Sequence, residues 1–384
     1  MRKDLTTITH TPIYLDNAAT TAISPNVLEA MTKQLTDDYG NPSSLHHFGR
    51  KANQRLRDYR ETIAQALDVS SRHIIFTSGG SESDNFAIKG YALAHQDKGK
   101  HLITTAIEHH AVLETMHYLE KRFGFEVTYL PATDGHITPE QVQEALREDT
   151  ILVSMMYANN ETGDLLPIKV VGELLSTHQA AFHVDAVQAF GKIAISPKEL
   201  GIDLLSASAH KYHGPKGVGF LYVGDVSMDK FIHGGDQEDK RRASTENMVG
   251  IAGMAEATKE AYAHLEENYL NVTKLKNHFL QELDSLGVHY YLNSSAQSLP
   301  HLINIGFRGQ HNGLLLTQLD LAGFAVSTGS ACTAGAVTPS HVLASYFGDN
   351  SPRLHESIRI SLSELNTKKE LSLLAKTLRN IIGN

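Results

Sequence analysis

Cysteine is nearly missing from this chain: there is one in 384 residues, Cys332. A single thiol excludes an internal disulfide framework and fits a reducing compartment, with the cytoplasm as the expectation. Long apolar runs are missing too, and no stretch approaches the roughly 20 residues that span a bilayer. Met1 to Pro12 carries Arg2 and Lys3 but neither an apolar core nor an Arg-rich amphipathic pattern, so no signal or transit peptide is expected. Positive charge is in deficit, with 34 Lys and Arg against 43 Asp and Glu and a net charge of −9 with histidine neutral. No global basic field therefore recruits nucleic acid. Internal repeats and low-complexity tracts are absent. What remains is an ordinary globular composition, 41% hydrophobic and 20% charged, in a chain long enough for two domains.

Short apolar strands alternate with amphipathic helices through the first two-thirds of the chain. Strands are expected at Ile13–Leu15, His73–Phe76, His101–Thr104, Glu126–Leu130, Thr150–Met156, Ala181–Val184 and Asp203–Leu205. The intervening helices fall at about 25–39, 50–66, 81–95, 111–123, 139–146 and 168–178. Such alternation predicts an α/β fold, a mostly parallel sheet flanked by helices on both faces. From about Ala255 the texture changes to one long helix reaching about Leu286, shorter strands at 288–292 and 302–307, and helices at 313–322 and 368–382. That predicts a large domain over residues 13–257 and a smaller α+β domain formed by 1–12 and 258–384.

Ligands bind at the carboxyl ends of strands in such sheets, so those ends carry the functional argument. In Ser206-Ala207-Ser208-Ala209-His210-Lys211, small residues lead the chain out of the sheet and place a lysine at the tip. A crowded, partly desolvated lysine is what Schiff-base chemistry needs, because its ammonium must lose a proton to attack an aldehyde. The alternative is a surface lysine in a turn. Thr77-Ser78-Gly79-Gly80-Ser81-Glu82-Ser83 follows another strand and opens a helix, where free N–H groups and the dipole attract an anion such as phosphate. It is neither a P-loop nor a Gly-x-Gly-x-x-Gly fingerprint, and an ordinary capped turn would look similar. Asp185 ends a third strand and suits a cationic ring nitrogen as well as it suits a helix cap. Glu108-His109-His110 ends a fourth; paired histidines suit a metal, but no Glu-x-x-His or cysteine ligand set accompanies them. A phosphate cradle, a carboxylate and a lysine at strand ends are the parts of a pyridoxal phosphate site.

In sequence the chain resembles the cysteine desulfurases of the NifS/IscS type, within the class V aminotransferase-like, fold-type I pyridoxal phosphate enzymes. The resemblance runs from Tyr14-Leu15-Asp16-Asn17-Ala18-Ala19-Thr20-Thr21 to Arg359. It passes through Gly40–Ser44, Thr77–Asn85, Glu108-His109, Asn159–Gly163, His183–Gln188, Ser208–Lys211, Gly234–Glu238, Thr245-Glu246-Asn247 and Gly329-Ser330-Ala331-Cys332. It implies that Lys211 bonds the cofactor aldehyde, Asp185 pairs with the ring nitrogen and Gln188 bonds the ring hydroxyl. His109 would stack on the ring and move protons. Gly80, Ser81, Ser208 and His210 would hold the phosphate, joined by Thr245 from the neighbouring subunit of a homodimer. Asn160 would steer ring and substrate, and Arg359 would bind the substrate carboxylate. From alternation alone, Ser357–Ser361 also reads as an edge strand with Arg359 on the surface.

The run of small residues around Cys332, 327–336, resembles the long catalytic loop of the NifS/IscS group rather than the shorter SufS loop. The implied reaction converts L-cysteine to L-alanine and leaves the sulfur on Cys332 as a persulfide for an acceptor protein. A lone intracellular cysteine is otherwise more often buried and inert. Selenocysteine lyase or another class V activity is the enzymatic alternative, and a sulfur-relay scaffold the non-enzymatic one. Two departures from the family pattern stand out: Ser244 before Thr245, and Ser363 after Ser361-Leu362, where glycine is usual. The chain stops at Asn384 without the C-terminal extension with which IscS-type members dock an iron–sulfur scaffold. Delivery to tRNA thiolation is therefore expected as much as cluster assembly.

Overall fold

A computed structural model describes residues 11–132, 136–329 and 339–383; Ser330, Ala331 and Cys332 lie outside them. After β1 (Ile13–Tyr14) come helices α1 (Pro25–Asp37) and α2 (His47–Leu67), then strand β2 (Ile74–Thr77). Helix α3 (Gly80–Ala94) leads to β3 (His101–Thr105), and α4 (His110–Phe123) to β4 (Glu126–Leu130). Helix α5 (Pro139–Ala145), β5 (Thr150–Met156), α6 (Ile168–Leu175) and β6 (Ala181–Asp185) continue the alternation up to β7 (Leu204–Ser208) and β8 (Gly219–Val223). These strands form a seven-stranded sheet in the order β2-β8-β7-β6-β5-β3-β4. The pairs within β4-β3-β5-β6-β7 are parallel, and β8 runs antiparallel to both of its neighbours.

The central strands are buried on both faces, which is why β5 reads as a near-continuous apolar run rather than an alternation. Apolar clusters lie on each side of the sheet, one with Phe182, Val184, Phe190 and Phe220, the other with Phe86, Met116, Leu119 and Leu152. Caps set the helix ends: Thr138 and Gln141 form a capping box on α5, and Gly124 closes α4 at φ 67°.

Helices α7 (Met248–Ala263) and α8 (Leu265–Ser285) replace the single helix expected over 255–286. The break at His264 (φ −124°, ψ 18°) has a packing cause. Met248, Ile251, Met254 and Ala257 of α7 bury in the sheet's cluster, whereas Val272, Leu275, Phe279 and Leu283 of α8 bury in a second core. One straight helix cannot serve both. The second core is built on β9 (Tyr291–Leu292), β10 (Leu302–Gly306), α9 (Asn312–Leu321), β11 (Phe324–Ala325), β12 (Ser357–Ser361) and α12 (Lys368–Ile382), whereas α10 (His341–Phe347), which with α11 (Arg353–Glu356) precedes β12, buries Val342 and Tyr346 in the sheet's cluster. Strands β12, β10 and β9 are antiparallel, and β1 pairs in parallel with β11, so Ile13 and Leu15 also pack there. Among the described residues no helix is long and apolar enough to cross a membrane.

Two local expectations need correction. The strand before Lys211 does not stop at Leu205 but continues to Ser208, with Lys211 in a 3₁₀ turn over Ala209–Lys211. The chain then doubles straight back as β8, with no helix between, a step that the alternation rule misses. Gly219 permits this return: a Cβ there would sit 2.4 Å from the Ala207 carbonyl oxygen and 2.8 Å from Gly79 Cα.

Candidate active site

The carboxyl ends of β2, β3, β5, β6 and β7 open on one cavity of about 280 Å³. It is lined by Gly80, Ser81, His109, Asn160, Asp185, Gln188, Ser208, His210, Lys211 and Arg359, so the structure gathers ten of the twelve sequence-predicted positions in one place. Thr245 is not among them; it lines a separate cleft with Thr77, Ser78 and Arg242. Cys332 lies outside the described residues.

Lys211 Nζ donates to the carbonyls of Ala18 (2.7 Å) and Ala19 (3.0 Å). Those carbonyls belong to the turn after β1, which Thr21 N ties to the His210 carbonyl at 2.9 Å and Asn17 Nδ2 ties to the Ser361 carbonyl at 2.9 Å. The same turn carries Asp16. Arg359 is 2% exposed, so it is no surface residue. Its Nη2 donates to Asp16 Oδ1 at 3.0 Å and its Nη1 to the Asn160 carbonyl at 2.9 Å. Its buried Nε has no partner among the described residues. A buried, orphaned guanidinium N–H in a cavity wall is suited to an anionic ligand.

Gly79 caps α3 at φ 149°, a conformation that L side chains rarely adopt, and offers no side chain to the first N–H groups of the helix. Ser208 Oγ sits 3.6 Å from where a Gly79 Cβ would be, and a Cβ on Gly80 would strike Val187 Cγ2 at 2.7 Å. Uncapped N–H groups, the helix dipole and two serine hydroxyls make an anion cradle. His210 closes it, its Nδ1 3.2 Å from Thr20 Oγ1; burial first, then Lys211, lowers its pKa to about 4.

Asp185, which also lines the cavity and is 6% exposed, accepts the Val187 N–H at 2.9 Å. Burial raises its pKa, while that N–H and the Lys211 charge pull it back. His109 caps α4, its Nδ1 accepting the Ala111 N–H at 3.1 Å, which leaves the ring proton on Nε2. Burial, then the Lys211, His110 and His341 charges, lowers its pKa to about 4, so the imidazole is neutral. Gln188 Nε2 is held by the Ala18 carbonyl at 2.9 Å. The fit to pyridoxal phosphate rests on this donor set: an anion cradle, a buried carboxyl and a lysine around one space, with an orphaned guanidinium for a second anion.

Against known families, the class V aminotransferase profile matches residues 13–374. The chain belongs to the class V aminotransferase family. This is a family of pyridoxal phosphate enzymes, and the fold is theirs. The "Cysteine desulfurase IscS" of Dictyoglomus turgidum (strain DSM 6724 / Z-1310) is 46% identical over 375 residues, covering 96% of this chain and 94% of that protein. A solved "NIFS-LIKE PROTEIN" superposes with a TM-score of 0.90 at 38% identity, over 97% of this chain and 99% of that one. A structure titled "SspA in complex with cysteine" follows at 0.81 and 35% identity, over 92% and 100%.

Sequence reasoning missed Asp16, Ala18 and Ala19 as site residues, although the small-residue turn ending β1 was itself a strand-end signal. It also missed Asp84, which lines the cavity from α3.

Proposed function

We propose that this chain is a pyridoxal phosphate-dependent cysteine desulfurase that converts L-cysteine to L-alanine. The observation that carries the reading is one cavity lined by Lys211, Asp185, His109, Gly80, Ser81 and Arg359, whose buried Nε has no partner among the described residues. Relatives named cysteine desulfurase, and a related structure in complex with cysteine, support the same substrate.

When bound, the cofactor supplies an aldehyde for amines and a ring that draws electrons from the substrate Cα. Lys211 would hold the group through that aldehyde, and its free amine would carry a proton from the substrate Cα and return it on Nζ; the Ala18 and Ala19 carbonyls set its position. Gly80, Ser81, Ser208 and His210 would hold the phosphate. Asp185 would keep a negative charge for the ring nitrogen, and Gln188 would serve the ring hydroxyl. His109, neutral and with its proton on Nε2, would pack against the ring. Arg359 would receive the substrate carboxylate, with Asn160 assisting.

Cys332 completes the reaction. Its thiolate Sγ attacks the substrate sulfur, a sulfur–sulfur bond forms, the substrate carbon–sulfur bond breaks, and its electron pair stays with the carbon that becomes the alanine methyl after protonation. The persulfide is then passed to an acceptor protein, for tRNA thiolation or for iron–sulfur assembly. We further propose that the enzyme is a cytoplasmic homodimer. The position of Thr245, away from the cavity of its own chain, supports its donation to a second copy's phosphate site. The proposed domains are a larger unit ending near residue 257 and a smaller unit of 258–384 that the N-terminal residues join through β1, a division that limited proteolysis tests.

The decisive assay follows alanine and sulfide from L-cysteine in the wild type and Lys211→Ala. Alanine from the first and none from the second is expected; keto-acid formation instead would mark an aminotransferase. Pull-down of a tRNA-thiolation enzyme or a cluster scaffold identifies the acceptor.

A further inference from the structure

The cavity floor holds a carboxyl that the chemistry above leaves without a task. Asp84, early in α3, is 1% exposed and reaches the cavity wall. It faces β6, where His183 and Asp185 stand two residues apart and so share one face of the strand. Ser206 of β7 is the register partner of Asp185. Its hydroxyl bonds the Asp84 carboxyl and lies 3.0 Å from His183 Nε2, while Ser154 Oγ lies 2.8 Å from Nδ1 of the same ring. Asp84 Oδ1 is 3.6 Å from His183 Nε2 and has no hydrogen-bond partner among the described residues.

Two buried carboxyls on one floor cannot both ionise freely, and their surroundings decide which one does. Asp185 has the Val187 N–H on Oδ1 and the Lys211 charge acting on it, and both favour its anion. Asp84 has neither. The titratable groups that act on it are Asp185 and Glu108, with His183 alongside. His183 is fully buried, which lowers its pKa to about 3 and leaves it neutral. Glu108, pushed up to about 8 by burial, supplies no cation either. Burial first, then Asp185 and Glu108, raise the pKa of Asp84, and the Ser206 hydroxyl, which favours the anion, offsets only part of this.

We propose that Asp84 is a positioning residue that carries a proton in the folded enzyme and thereby leaves Asp185 as the single anion available to the cofactor's ring nitrogen. The purpose assigned to that proton rests on the pyridoxal phosphate reading, since a lone fixed anion is what keeps a ring nitrogen protonated. The proton itself belongs to the protein alone. An acid whose folded pKa lies above its unfolded value, about 4, stabilises fully below that value and loses this contribution as pH rises through the folded pKa. Asp84 therefore weakens the fold at neutral and alkaline pH, a cost that an asparagine would not carry.

Infrared difference spectroscopy of cofactor-free protein at neutral pH provides the test. The protonated-carboxyl carbonyl band of the wild type should lose intensity in Asp84→Asn and keep that component in Asp185→Asn, with Glu108→Gln identifying the band of the other neutral acid. Thermal unfolding of Asp84→Asn should lie above wild type at alkaline pH, with the gap closing as pH falls toward about 4. Asp84→Ser serves the band test if the asparagine variant folds poorly. An acid band unchanged in Asp84→Asn but lost in Asp185→Asn would overturn the proposal, because Asp185 would then hold the proton. So would an Asp84→Asn protein that melts below wild type at alkaline pH, which would indicate an Asp84 anion paired with protonated His183. If wild type took up no pyridoxal phosphate while the band change persisted, the cofactor reading and the purpose of the proton would fall, and the protonation of Asp84 would stand.

Discussion

Arg359 is the residue whose replacement separates the substrate-binding reading from a purely structural one. Among the described residues its guanidinium makes two hydrogen bonds, to Asp16 Oδ1 and to the Asn160 carbonyl, and its buried Nε–H has no partner. Removing one member of a buried pair costs about 3–5 kcal/mol. Asp16 keeps 19% of its side chain exposed and the site adjoins a cavity, so water takes over part of the solvation. Arg359→Ala should therefore destabilise the fold by the lower figure or somewhat less, roughly 2–3 kcal/mol, read from the denaturant midpoint. Catalysis should suffer separately. A substrate carboxylate loses charge-assisted hydrogen bonds worth about 1.5–3 kcal/mol each, so one to two such bonds, about 1.5–6 kcal/mol, give a fall in kcat/KM of roughly ten- to ten-thousandfold. Because the carboxylate is bound alike before and during the chemistry, most of the fall should appear in KM. Arg359→Lys keeps the charge but not the planar fork, and should recover about a tenth of the wild-type value. The assay measures alanine against L-cysteine concentration. An Arg359→Ala enzyme with kcat/KM within about twofold of wild type would refute the carboxylate assignment, whatever its stability.

Lys211→Ala should leave purified protein without the visible absorbance of covalently held cofactor, and borohydride reduction followed by peptide mapping should label Lys211 in the wild type; a different labelled lysine would move the site. Cys332→Ala should still bind L-cysteine and shift the cofactor absorbance while alanine release falls by several orders of magnitude, as on loss of a covalent catalyst; near wild-type turnover would sink the persulfide step. Gly219→Ala forces a methyl against the Ala207 carbonyl and Gly79, an overpacking that should cost about 1–3 kcal/mol and loosen cofactor retention, both measurable by thermal shift with and without pyridoxal phosphate. Burial alone would raise the pKa of Glu364, but His213 at 3.2 Å and Lys192 hold it down to about 2. Its contribution is thus present above the unfolded value and lost as pH falls toward 2; Glu364→Gln should cost about 2–3 kcal/mol at neutral pH and nothing in strong acid, by pH-dependent denaturation.

The alternation of short apolar runs with amphipathic helices, each strand running into small or polar residues, by itself specifies the parallel strands of the sheet and its helical layers. It also marked Gly80, Asp185 and Lys211, because strand ends, caps and glycines are local features written in a few consecutive residues. The return strand β8 was not legible, since a tight antiparallel turn carries no periodicity of its own and depends on Gly219 meeting Ala207 and Gly79. Nor was the break at His264, which exists because two cores claim the two halves of one helical pattern. The alternation of Ser357–Ser361 left Arg359 equally at home on a solvated edge; only the packing of β12 against the turn after β1 buries it beside Asp16, 343 residues away. Asp84 is similar, an unremarkable polar residue on a helix until β6 and β7 bring His183, Asp185 and Ser206 beneath it. Local sequence decides which groups each strand end offers. Only the tertiary structure decides which of them share a water-poor space, and there burial and neighbouring charge set the protonation state of each.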